Sequence, residues 1–265
     1  MNMYLHELRV YRKSTIIWTL AQMSLVVLFL AIFPSFASDA QAFKEMLEGF
    51  PEELRKAIGL SVDSIATVIG FYSYIFLYLK LCGAIQAMNL GTSLVSKETS
   101  EKTADFLLTK PVTRYQILSA KLLAAFTSLI VTNVFFIGTT IMMAIFVSEK
   151  EFNVTVLFLI AVSLFLMQLI FLSIGVIVSV VFPKIKSVIS VSLGTVFGFF
   201  MVAMVSSAMD DTALRYITPF NYFNTSYIIE NASYEGSFLL VGGLIIVAAI
   251  SASFYIYHKR DVHTV

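Results

Sequence analysis

Apolar positions in this chain come as long unbroken runs, separated by short charged segments, with no alternation from one residue to the next. Six runs are long enough to cross a bilayer: Ile16–Phe36, Ile65–Leu94, Ile117–Val147, Val154–Phe182, Val188–Met209 and Phe238–Tyr257. A crossing takes about 20 helical residues, each rising about 1.5 Å. The first, fifth and sixth runs match that length. The other three reach about 30 residues, or about 45 Å of helix, so they must tilt, kink or project from the bilayer.

Composition agrees with this pattern. Hydrophobic residues make up 58% of the chain, charged residues only 13%, and mean hydropathy is +0.86. A soluble domain of 265 residues needs a far more charged surface. The pattern predicts an all-α membrane protein with six transmembrane helices in a single domain, 1–265. Continuous runs argue against a barrel, whose strands alternate. The lone Cys82 excludes an intrachain disulfide. Asn153, Asn224 and Asn231 begin Asn-x-Ser/Thr triplets, a short pattern that arises by chance.

Six spans put both termini on one side, and the basic residues choose which. With the N-terminus inside, twelve lysines and arginines lie in inner segments and five in outer ones, with Lys80 left in the membrane. That asymmetry predicts cytoplasmic termini; the expected setting is a bacterial cell membrane. A cleavable leader ending near Ala37 is the competing reading of the first span. Its apolar run is longer than a leader's, and its basic residues start late.

The segments between spans carry further expectations. Residues 1–15 place Tyr4, Leu8 and Tyr11 on one helical face and Arg9, Arg12 and Lys13 around the other. This is either an interfacial N-terminal helix or a charged flank anchoring the first span. Between Ser38 and Asp63, Pro51 predicts the start of a short helix. The segment 210–237 is rich in aromatics, among them Tyr216, Phe220, Tyr222, Phe223 and Tyr227. It reads as short re-entrant or interfacial outer helices, or as a plain aromatic belt. Lys80 either faces a substrate cavity or snorkels to the headgroups. Among the glycines within spans, Gly194-x-x-x-Gly198 fits close helix packing.

Chemistry of its own is missing from the sequence. The fragment Gly91–Thr99 lacks the glycine that a phosphate-binding loop has before its lysine. His6, His258 and His263 sit at the chain ends, with no metal-binding spacing. No nucleophile elbow is present, and basic residues are too scattered for nucleic acid. The chain is therefore expected to be no enzyme and to bind no cofactor, metal or nucleic acid.

One polar island stands out, Ser96–Lys121. Thr99 or Ser100 is placed to cap a helix that Pro111 stops near Thr109, with Ala104, Leu107 and Leu108 along one side. A short amphipathic helix between greasy spans suits docking of a soluble partner, or lying along the headgroups. The island resembles the inner loop of permease subunits of type 2 ATP-binding-cassette (ABC) exporters. The residues that carry the resemblance are Glu98, Glu101, Thr103, Leu107, Leu108, Pro111 and Arg114, followed by Lys121. Lys102 stands where that family often has glycine.

The resemblance implies a cytoplasmic coupling loop over 96–115, gripped by two separate ATPase subunits that hold ATP and Mg. It implies a second permease chain, the same or related, and a substrate path or exit near Lys80, Pro219, Phe220 and Tyr222. Cargo would be a peptide, drug or other amphipathic molecule. Two alternatives share part of the pattern. An ion-coupled secondary transporter or channel would bury more ionisable groups. A sensor or immunity protein working with an ATPase would look the same.

Overall fold

The computed structural model describes residues 3–39, 45–46, 49–57, 65–100, 113–148, 150–182, 184–209 and 211–259. Among these there is no strand, and six helices are long and apolar enough to span a membrane. The spans are α1 (Met3–Ser38), α3 (Val68–Ser100), α4 (Arg114–Val147), α5 (Val154–Val181), α6 (Val188–Met209) and α9 (Gly236–Lys259). Among the described residues, α2 (Glu52–Ala57), α7 (Thr212–Ile217) and α8 (Thr225–Asn231) are short helices on the face away from the termini. A single 3-10 turn, Pro219–Asn221, lies between the last two.

Most expectations for the elements hold. The fourth and fifth runs match α5 and α6 to within one residue. The helix announced by Pro51 begins at Glu52, and the Pro51 carbonyl accepts its first bonds, from Leu54 and Arg55. The first span differs. Residues 3–15 and 16–38 form one continuous helix of 36 residues, not a surface helix followed by a separate span. Contacts with α4 along its whole length hold that extension: Tyr4 to Thr127, Glu7 to Lys121, Thr15 to Ser128 and Thr19 to Thr132. The last two pairs advance by four residues on both helices, so α1 and α4 run parallel.

The centre of the bundle is the pair α3 and α5, the most buried of the spans. Two glycines bring them together. A Cβ on Gly91 would lie 2.4 Å from the Leu172 carbonyl oxygen and 2.9 Å from the Gly175 Cα. A Cβ on Gly175 would lie 2.7 Å from the Met88 carbonyl oxygen and 2.8 Å from the Thr92 nitrogen. Backbone meets backbone here, as small residues permit in membranes, where packing replaces the hydrophobic drive. Gly194 and Gly198 make no such contact among the described residues, where nothing lies within 4 Å of a Cβ on either.

Neutral amides from four helices join at the same core. Gln22 (α1) donates to Gln86 (α3) at 2.7 Å, and Gln86 donates to Thr132 (α4) at 3.0 Å. Gln168 (α5) also donates to Gln86, at 3.3 Å, and Asn133 (α4) donates to Gln168 at 2.5 Å. All four carboxamides are buried, so each bond spares a polar group from hydrocarbon.

Gly91→Ala is expected to destabilise the purified protein by about 1–3 kcal/mol, the usual range for overpacking. Gly138→Ala, where a Cβ meets nothing within 4 Å, should be neutral. Thermal unfolding of both variants in the same detergent checks the difference.

Candidate functional site

Two places carry the residues singled out from the sequence, one at each end of the bundle. The first is the end that holds both chain termini. Here α3 runs on to Ser100, so Glu98 falls in its last turn. Glu101, Thr103, Leu107, Leu108 and Pro111 lie outside the described residues. The chain re-enters helix at Thr113, whose hydroxyl accepts from the Gln116 nitrogen at 3.3 Å. The Gln116 side chain accepts from the Thr113 nitrogen at 3.0 Å in return. This reciprocal cap fixes where α4 starts. Its Thr-x-x-Gln spacing was present in the sequence and was missed.

Arg114 reaches the last span. Its guanidinium donates to the Tyr257 carbonyl at 3.2 Å and to the His258 carbonyl at 3.4 Å. Those carbonyls end α9, where a cation is favoured by the helix dipole. Tyr115 stacks on Phe254 beside them, with ring centroids 5.8 Å apart. The base of α4 is thus tied to the end of α9. Nearby, Lys121 and Glu7 form an ion pair at 3.3 Å, with side chains only 6% and 10% exposed. Nothing in the spacing of Glu7 along the sequence reveals this partner.

The second place is the opposite end, where the segment between α6 and α9 folds back into the bundle as three short pieces. This matches the expected broken helices. Asp211 caps α7 and Asn224 caps α8, each accepting two backbone N–H bonds. Thr218 donates to the Phe199 carbonyl and Asn221 to the Ala203 carbonyl, so the irregular backbone is stitched onto α6. Phe220 is buried among Phe171, Phe199 and Phe200, with its ring 5.2 Å from Phe171 and 5.5 Å from Phe200. Tyr222 is buried and donates to the Tyr216 carbonyl at 2.6 Å. Tyr234 donates to the Leu159 carbonyl at 2.7 Å, and burial pushes its phenol up to about 12, so it stays a donor at ordinary pH.

Lys80 is the pin for this loop. Its ammonium donates to the Phe223 carbonyl at 2.9 Å and to the Phe220 carbonyl at 3.2 Å, and lies over the Phe76 ring at 5.2 Å. Lys80 is buried within the chain, at 6% exposure. Both sequence readings gave it water or lipid as a partner, whereas the structure gives it backbone carbonyls. Pro219, Phe220 and Tyr222 do gather with it, as a buried plug. A second clasp, Arg215 to Glu235 at 2.6 Å, closes the loop against the start of α9, with the guanidinium 4.3 Å over Phe238.

Six helices long and apolar enough to cross a bilayer define a multi-pass membrane protein. The model of the family described as ABC-2 family transporter protein matches residues 1–262, and the chain belongs to that family. It is thus a membrane component of an ABC transporter, a kind of subunit that partners with an ABC ATPase. No curated protein matches the chain.

Lys80→Met should still insert, but it leaves two buried carbonyls without this donor. The expected loss is about 1–3 kcal/mol, concentrated in the loop. In a Cys82→Ser background, Tyr222→Cys should react with a water-soluble maleimide faster when Lys80→Met is also present. Equal rates with and without Lys80→Met would refute the pin.

Proposed function

We propose that this chain is the membrane-spanning subunit of an ATP-driven exporter, moving a peptide, drug or other amphipathic cargo. The family match over residues 1–262 carries this reading. Both termini and the segment 96–115 face the cytoplasm of a cell membrane, as the basic residues favour. Two ATPase subunits grip that segment through Leu107 and Leu108, flanked by Glu98, Glu101, Thr103, Pro111 and Arg114. ATP and Mg sit in those subunits, and a second permease chain, the same or related, completes the path.

The packing supports energy transfer through this segment. Residues 101–112 connect α3, half of the central glycine-sealed pair, to α4, which is pinned to α1 and to the end of α9. A load on the segment reaches both halves of the bundle directly. ATP changes which conformation the ATPases bind better, and that difference in affinity does the work on the spans. The loop pinned by Lys80 stands at the far end, where cargo leaves.

Leu107→Asp and Leu108→Asp should each cut co-purification of the ATPase by about tenfold or more, the effect of losing an anchor residue. Membrane insertion should be unchanged. Undiminished association in both variants refutes the docking assignment.

A further inference from the structure

The first turns of α1 have two unlike faces. One packs on α4: Tyr4 bonds to Thr127 at 3.0 Å, Glu7 pairs with Lys121 at 3.3 Å, and Tyr11 is buried. The other is exposed and carries Leu5, Arg9, Val10, Arg12, Lys13 and Ile17. Three of these are cations and three are apolar.

The cations have no answering charge nearby. Glu7 is the one acid in α1, and Lys121 holds it. Among the described residues no carboxylate pairs with Arg9, Arg12 or Lys13. Arg12 and Lys13 lie three and four residues beyond Arg9, where helical neighbours of like charge repel. An anion laid across the three removes that cost.

Depth decides the kind of anion. The contacts of Tyr4 and Glu7 set the start of α1 level with residues 121–127 of α4. There α4 exposes Leu123 and Phe126. One turn on from Lys13, Ile17 is 66% exposed, and Leu5 on the other side is 52% exposed. Large apolar side chains left open on a spanning bundle face acyl chains. The cations therefore sit among lipid-facing positions, at the boundary where long basic side chains reach headgroups. A phospholipid meets both needs of this face, with phosphate for the cations and acyl chains for the apolar positions beside them.

We infer that the start of α1 is a docking surface for anionic phospholipid, with Arg9, Arg12 and Lys13 holding headgroup phosphates. Each arginine offers a planar fork that matches phosphate oxygens, and Lys13 adds a point charge. A basic side chain close to an anionic membrane surface strengthens attraction about fivefold. Three together select an anionic lipid over a zwitterionic one.

The test uses the full chain, reconstituted in phosphatidylcholine bilayers. Trp18 is the one tryptophan of the chain. Trp18→Phe with Ile17→Trp moves the fluorophore to the basic face, one turn from Lys13. Brominated phosphatidylglycerol and brominated phosphatidylcholine are then compared as quenchers. Phosphatidylglycerol should reach half-maximal quenching at about a tenfold lower share of the lipid. Arg9→Gln, Arg12→Gln and Lys13→Gln combined should erase the difference. Lys184→Gln with Lys186→Gln, two exposed cations between α5 and α6, should leave it intact. Equal quenching by the two lipids overturns the surface. So does a preference that survives the triple change, or one lost equally in the Lys184→Gln, Lys186→Gln protein. Loss of ATPase co-purification in the triple variant, with no lipid preference in the parent, assigns the cations to an acidic protein and overturns it too.

Discussion

Gly91 and Gly175 bring two membrane helices into backbone contact, leaving no space for even a methyl group between them. Lipid tails are as apolar as leucine, so spans associate through such fit, not by escape from water. The contact fixes α3 and α5 as the axis of the bundle. From that axis Gln86 and Gln168 reach the two helices of the neighbouring pair, and Lys80 reaches the loop at the far end. A side chain at either glycine would force the two backbones apart and strain the amide bond that α3 and α5 share between Gln86 and Gln168.

Local signals made much of the fold legible in the sequence. Long apolar runs gave the spans, because the thickness of a bilayer sets their length. Pro51 marked a helix start, and the aromatic, weakly charged stretch around Pro219 betrayed broken helices. Partnerships were not legible. Lys80 and the carbonyl of Phe220 are 140 residues apart, and no periodicity connects them. Gly91 was noticed only as part of a failed phosphate loop, since polar Asn89, Thr92 and Ser93 around it disguised a packing site. Gly194 and Gly198 have the expected spacing yet meet nothing among the described residues. Spacing shows that a close approach is allowed; it does not name the partner helix.

The residues proposed for coupling divide along similar lines. Arg114 belongs to the joint between α4 and α9, where it satisfies the last carbonyls of a helix. Glu98 closes the last turn of α3. Both stand where the chain enters or leaves the segment 101–112. The opposite end is closed by a plug of rings and carbonyl bonds.

The account as a whole requires these two ends to lie on opposite sides of the membrane, with the segment 101–112 in the cytoplasm. A membrane-impermeant maleimide applied to intact cells tests this directly, using Leu107→Cys and Thr212→Cys, each alone in a Cys82→Ser background. The account predicts labelling of the Thr212→Cys protein at once, and of the Leu107→Cys protein only after the membrane is permeabilised. Labelling of Leu107→Cys in intact cells would contradict it.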